Sequence, residues 1–217
     1  SGVFFYADVR MSGDDDDVEW GSQTMALALP GGIEVKVSQN FLDAGVAGVL
    51  FCGAVRLMQL LAHPASFLPR DYCQGQRTIE LGAGTGIVSV VASHMGAAHV
   101  TVTDLSVALD NMEQNMKLNI APTVIDERCT VQELDWGLPG QRAALQPPYD
   151  VVFVAECVYP WPPDEAPVVL QSLLDTIHAL CSPTTDVWFC GINTPKKGER
   201  RGGSAPCPRL FLWQGPR

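Results

Sequence analysis

Thr78-Ile79-Glu80-Leu81-Gly82-Ala83-Gly84-Thr85-Gly86 reads as a buried strand running into a glycine-rich turn, and an apolar run from Ile87 to Met95 follows at once. Glycines at 82, 84 and 86 leave no Cβ in the way, so the backbone can pass close to a ligand, and the start of the next helix suits an anion. The spacing is G-x-G-x-G, not the G-x-G-x-x-G of dinucleotide-binding folds. With the acid Glu80 ahead of the turn, the pattern favours a nucleoside cofactor without a pyrophosphate. S-adenosylmethionine is the leading candidate.

Working outward, strand and helix signals alternate. Short β-rich apolar runs lie at 77–81, 99–103, 130–134, 150–155 and 186–191, with helical patterns at 86–95, 107–119 and 165–181. Such alternation predicts an α/β fold: a mostly parallel twisted sheet with helices on both faces. Ser106 is the predicted N-cap of the second of these helices. Upstream, 33–37 alternates as a half-buried strand, with Leu27 and Leu29 before the Pro30-Gly31-Gly32 turn as its hairpin partner. A dense helical pattern covers 45–62, and Pro64 ends it. Residues 1–25, with four consecutive aspartates at 14–17, read as a weakly ordered acidic segment. The domain proper is expected over 26–192, and 193–217 reads as an atypical basic tail in which 209–213 supplies one short strand.

The chain has 217 residues, 47% hydrophobic and 18% charged, which suits one globular domain. A net charge of -10 argues against a nucleic-acid binder. It suits a basic protein substrate and, equally, a solvated surface. The seven cysteines form no C-x-x-C and several sit in apolar runs, so they read as buried thiols in a reducing compartment. The four histidines do not cluster with them in sequence, so no metal site is expected. No signal peptide is evident, and the longest apolar stretch, 44–61, is interrupted by Arg56 and makes a poor membrane span. A cytoplasmic monomer, also present in the nucleus, is the expectation.

In a parallel sheet of this kind, ligands bind beyond the carboxyl ends of the strands. Asp104 follows the second strand, where a carboxylate can accept from both ribose hydroxyls or, alternatively, cap the next helix. Asp135-Trp136-Gly137 follows the third, where an acid can accept from an adenine amine and an indole can cover the purine, or the segment is a surface turn beside a packed tryptophan. Ala155-Glu156-Cys157-Val158-Tyr159 follows the fourth. There a small Ala155 leaves room for a methyl donor, while Glu156 and Tyr159 can orient an amine and help it lose a proton. The alternative for Glu156 is a capping or salt-bridging acid. Four such features in strand order make a joint signal that none makes alone.

These segments resemble the motifs of the seven-β-strand (class I) protein lysine methyltransferases of the methyltransferase-like group, from about Ile33 to Ile192. They are Glu80-Leu81-Gly82-Ala83-Gly84-Thr85-Gly86, Val102-Thr103-Asp104-Leu105, Glu133-Leu134-Asp135-Trp136-Gly137 and Glu156-Cys157-Val158-Tyr159. The resemblance implies a Rossmann-like methyltransferase fold, S-adenosylmethionine as donor and a lysine in a protein substrate as acceptor. It implies Glu156 and Tyr159 as the catalytic acid-x-x-aromatic pair. Cofactor contacts are expected from Glu80, Gly82, Gly84, Gly86, Asp104, Asp135, Trp136 and Ala155. Phe51 stands where the family usually has a tryptophan near the cofactor, and Cys52 where an acid is common. Two departures stand out. Pro160-Trp161-Pro162-Pro163 follows the signature, and 193–217 does not read as the final helix and antiparallel strand pair of the fold, so the C-terminal part of the sheet is expected to be incomplete. The competing readings are a non-catalytic binding or regulatory module on the same fold, and a methyltransferase acting on another side chain or a small molecule.

Overall fold

The computed structural model describes residues 23–158, 165–192 and, as backbone, 208–214. Strand β1 (Gln23–Leu29) pairs antiparallel with β2 (Ile33–Gln39) across the predicted Pro30-Gly31-Gly32 turn. β1 therefore begins inside the segment that sequence reading assigns to a weakly ordered N-terminus. The hairpin leads into the short helix α1 (Phe41–Ala44), a 3-10 turn (Gly45–Gly48) and α2 (Cys52–Ala62).

The single helix expected over 45–62 is therefore broken, and the axes on either side differ by 65°. Gly45 takes φ 57, and residues 49 and 51 are extended. Two hydrogen bonds hold this kink. Asn40 N donates to Gly48 O at 2.9 Å, and Leu50 N donates to Gln39 Oε1 at 2.8 Å. Both partners come from the end of the hairpin, so the helical periodicity of 45–62 is overridden by tertiary contacts. Among the described residues no single helix is long and apolar enough to cross a membrane.

The main sheet then forms from β3 (Arg77–Leu81), β4 (His99–Asp104), β5 (Cys129–Glu133), β6 (Tyr149–Ala155), β7 (Cys181–Ile192) and β8 (Pro208–Gln214), in the spatial order β5-β4-β3-β6-β7-β8. The first five are parallel, and β8 is antiparallel to β7. Helices α3 (Ile87–His94), α4 (Leu109–Asn119) and α7 (Ala166–Leu180) fall where the periodicity places them. Two short helices escape it, α5 (Pro122–Arg128) and α6 (Pro139–Arg142). Each starts at a proline and buries no residue fully, so neither carries an apolar stripe to read. Ser106 is not an N-cap: it opens a 3-10 turn (Ser106–Ala108) with no side-chain cap, and Asp104 Oδ1 accepts from Leu105 N instead, at 2.7 Å.

Side-chain alternation along the strands divides the core in two. Val100, Val102, Val151 and Phe153 join α2, α3 and α4 on one face, while Ile79, Leu81, Val152 and Val154 meet Leu173, Ile177 and Leu180 of α7 on the other. Helices thus cover both faces, as expected. Far from the strand ends, the buried Trp188 of β7 donates to Tyr72 Oη at 2.7 Å, and Tyr72 donates to Asp186 Oδ2 at 2.8 Å. This chain fastens the loop after α2 to the sheet. The 209–213 strand of the sequence reading is β8, one antiparallel strand where the resemblance implies a pair. Among the described residues the sheet stops there.

Candidate active site

The strand order reverses between β3 and β6: the chain steps outward from β3 to β4 and β5, then returns to β6 and continues to β7. That switch point leaves an opening at the carboxyl ends of the two central strands. The glycine turn occupies it. Gly82, Gly84 and Gly86 have φ 60, 55 and 71, a region that side chains with a Cβ enter only at a cost. Space closes the case at Gly82, where an added Cβ would lie 2.6 Å from Cys157 Sγ and 3.2 Å from the Trp136 ring. At Gly84 it would lie 3.0 Å from the carbonyl oxygen of Ala47. The kinked segment before α2 therefore lies directly over the turn.

Asp104 reaches the turn from β4, with Oδ2 accepting from Gly84 N at 2.7 Å. Burial raises its carboxyl above the ordinary range, and the amides of Gly84 and Leu105 partly offset this. Glu80 points the other way. Its Oε2 accepts from Ser89 N at 2.9 Å and Ser89 Oγ at 2.6 Å, tying β3 to the first turn of α3. The side chain is buried, and burial lifts its carboxyl to about 7 against the Ser89 hydrogen bonds, which lower it. A carboxyl raised in the folded state loses stability as pH climbs from the unfolded value, about 4.5, to about 7. Glu80→Gln keeps an oxygen for Ser89 and cannot ionise. The stability of the variant relative to the native chain should therefore grow between pH 5 and pH 8 in denaturant titrations. A constant difference across that range would refute the assignment.

Trp136 lies against Gly82 and the α7-side core, and its buried Nε1 has no hydrogen-bond partner among the described residues. Asp135 is held locally: Oδ1 accepts from Gly137 N at 2.8 Å, and its own amide donates to Gln141 Oε1 at 2.6 Å. Ala155, half-buried, ends β6. Next to it Glu156 has φ 59, the one non-glycine residue in the left-handed region among those described. Its amide donates to Cys190 O at 2.7 Å, and its Oε1 accepts from Gly53 N at 2.8 Å and from Cys52 Sγ at 3.6 Å. A carboxylate thus sits at the N-terminus of α2, where the helix dipole favours negative charge. Phe51, half-exposed, precedes that turn. Tyr159 and the 160–163 proline run lie outside the described residues.

Three contributors escape sequence reading. Cys157 is buried, and its thiol donates to Leu81 O at 3.1 Å across the switch point. Gly53 is the partner of Glu156. Asn115 of α4, fully buried, accepts from Ser38 N at 2.6 Å and donates to Ser38 O at 3.0 Å and Thr85 O at 2.9 Å. It joins the hairpin to the glycine turn. Only the apolar context of Cys157 hinted at burial, and nothing local marked the other two.

A sequence profile described as lysine methyltransferase matches residues 31–200, most of the chain. The chain belongs to this lysine methyltransferase family. Among relatives, it is similar to the EEF1A lysine methyltransferase 3 of Xenopus tropicalis, 32% identical over 159 residues that cover 73% of this chain and 63% of that one. It is also similar to the protein N-lysine methyltransferase METTL21A of Danio rerio, 36% identical, covering 70% of this chain and 64% of that one. The chain thus spans about three-fifths of the length of these curated relatives. Among solved structures, a Haemophilus influenzae protein named as a methylase matches with TM-score 0.54 at 15% identity, covering 90% of this chain and 100% of that one. That likeness bears on the fold, which is the Rossmann-like fold of this lysine methyltransferase family.

Proposed function

We propose that this chain transfers a methyl group from S-adenosylmethionine to the side-chain amine of a lysine in a protein substrate. The observation that carries the reading is Glu156: a carboxylate on a left-handed backbone at the end of β6, pinned to the start of α2 beside the glycine turn. Such a strained, over-determined position marks a residue whose direction matters.

The site fits this cofactor. The glycines let the left-handed turn pack close against Cys157, Trp136 and Ala47, and Asp104 holds its shape through the Gly84 amide. The amides at the start of α3 suit the amino-acid carboxylate of the cofactor, and Asp104 suits its ribose hydroxyls. When bound, S-adenosylmethionine supplies an electrophilic methyl carbon on a sulfonium sulfur. What remains for the protein is positioning and a proton. A lysine amine is protonated at neutral pH, with an ordinary pKa near 10.4, and must present a lone pair. Glu156 holds the incoming ammonium by charge and takes part in removing its proton. With the donor bound, the amine lone pair would take the methyl carbon and the sulfonium sulfur would leave with the bonding pair.

The segments next to this opening, the kinked stretch before α2, the turn after β4 and the end of β6, carry exposed apolar residues, Leu42, Val46, Phe51, Leu105, Val107 and Val158. Exposed apolar residues beside the part-buried acids Asp104 and Glu156 suit a lysine within a protein surface better than a small polar acceptor. The test is incubation of the chain with labelled S-adenosylmethionine and a cell protein extract, with calorimetry of cofactor binding alongside. Label on lysine is the expected result. Binding without transfer would instead leave a non-catalytic module.

A further inference from the structure

We propose that the first turn of α2 is the positioning device of Glu156, with the Cys52 thiol and the Gly53 amide jointly holding one carboxylate oxygen. The proposal rests on the methyl-transfer reading for its consequence, but not for the contact itself. Four observations meet at this point. Oε1 of Glu156 receives Gly53 N at 2.8 Å and Cys52 Sγ at 3.6 Å, from residues about a hundred positions upstream. Sulfur hydrogen bonds are long, so 3.6 Å is an ordinary S–H···O distance. A Cβ on Gly53 would fall 2.6 Å from that same oxygen, so the carboxylate fills the space that a side chain would need. The left-handed backbone of Glu156, with its amide fixed on Cys190 O, turns the side chain toward α2.

The chemistry of the thiol suits the task. Cys52 is useful to a carboxylate only as a protonated donor, and burial, followed by the Glu156 charge, pushes it up to about 11. The thiol therefore stays protonated throughout the range in which a lysine methyltransferase works. An alanine here would take one donor from Glu156 and give it more freedom to swing. A serine would restore a donor in the same place.

Two measurements decide this on the full chain. The first is the rate of iodoacetamide alkylation at Cys52, read peptide by peptide by mass spectrometry, in the native chain and in Glu156→Gln. Loss of the neighbouring charge should lower the thiol pKa and raise the rate at pH 8.5, about threefold for each unit that the pKa falls, because the thiolate fraction grows while its nucleophilicity drops. An unchanged rate would overturn the proposal. The second is methyl transfer from labelled S-adenosylmethionine to extract protein. Cys52→Ala should lose about tenfold in kcat with cofactor affinity unchanged, and Cys52→Ser should recover most of it. Cys52→Ala at native kcat would also overturn the proposal. If the native chain binds cofactor and transfers nothing, the methyl-transfer reading fails, while the alkylation result still decides the contact.

Discussion

Asn115→Ala is expected to remove about 3–5 kcal/mol of folding stability, measured as a fall in the chemical denaturation midpoint. The substitution leaves three backbone groups without partners, the N–H and C=O of Ser38 and the C=O of Thr85. Each orphaned buried group costs about 1–3 kcal/mol, and a vacated amide adds a small cavity. Native domains have about 5–15 kcal/mol in all, so this one change would take a large share. Asn119 provides the comparison. It makes the same two-way clasp on Lys36, with 2.7 Å to both N and O, but in an exposed position where water can substitute. Asn119→Ala should cost about 1 kcal/mol. Equal losses at the two positions would contradict the burial argument.

Glu156→Gln should lower the rate of methyl transfer by about 10²–10⁴-fold, the range typical of a lost acid–base group. Folding and cofactor affinity should hardly change. The amide oxygen of glutamine can still accept from Gly53 N, and the glycine turn proposed to take the cofactor is built by other residues. What disappears is the negative charge to which the proposed function assigns the attraction of an ammonium and a part in removing its proton. The split is the informative part: calorimetry with S-adenosylmethionine at native affinity, beside a collapsed kcat. A variant within threefold of the native rate would remove Glu156 from the chemistry. One that also failed to bind cofactor would make it structural. Glu156→Gly is a useful companion, because glycine adopts φ 59 without cost, so relief of backbone strain offsets part of the lost cap.

How much of this was written in the chain depended on range. The glycine turn, Asp104 and Glu156 were legible because each follows a short β-rich run, and strand ends in a parallel sheet converge without further information. The strand bounds at β3 were read to the residue, since Thr78 to Leu81 is buried on both faces and the turn residues close it off. Glu80 stands out by motif, but the bond of its Oε2 to Ser89 does not, because that choice is set by where α3 packs. The break before α2 was invisible, because the hydrogen bonds that impose it come from Gln39 and Asn40 and run against the local helical pattern. Asn115 was hidden for a related reason. Asparagine on an amphipathic helix normally faces water, and only the docking of the hairpin turns it inward.

The paired asparagines of α4 also set which parts of the molecule open together. Lys36 and Ser38 belong by sequence to a two-stranded hairpin, which alone would fray easily. Their amide protons are instead held by side chains of a helix, and Asn115 clasps the glycine turn with the same amide group. Hydrogen exchange at these two positions is therefore governed by separation of the hairpin from α4, not by fraying of the hairpin ends. A molecule that stiffens the glycine turn should therefore slow exchange in β2, which makes the hairpin a remote reporter to be read by hydrogen exchange.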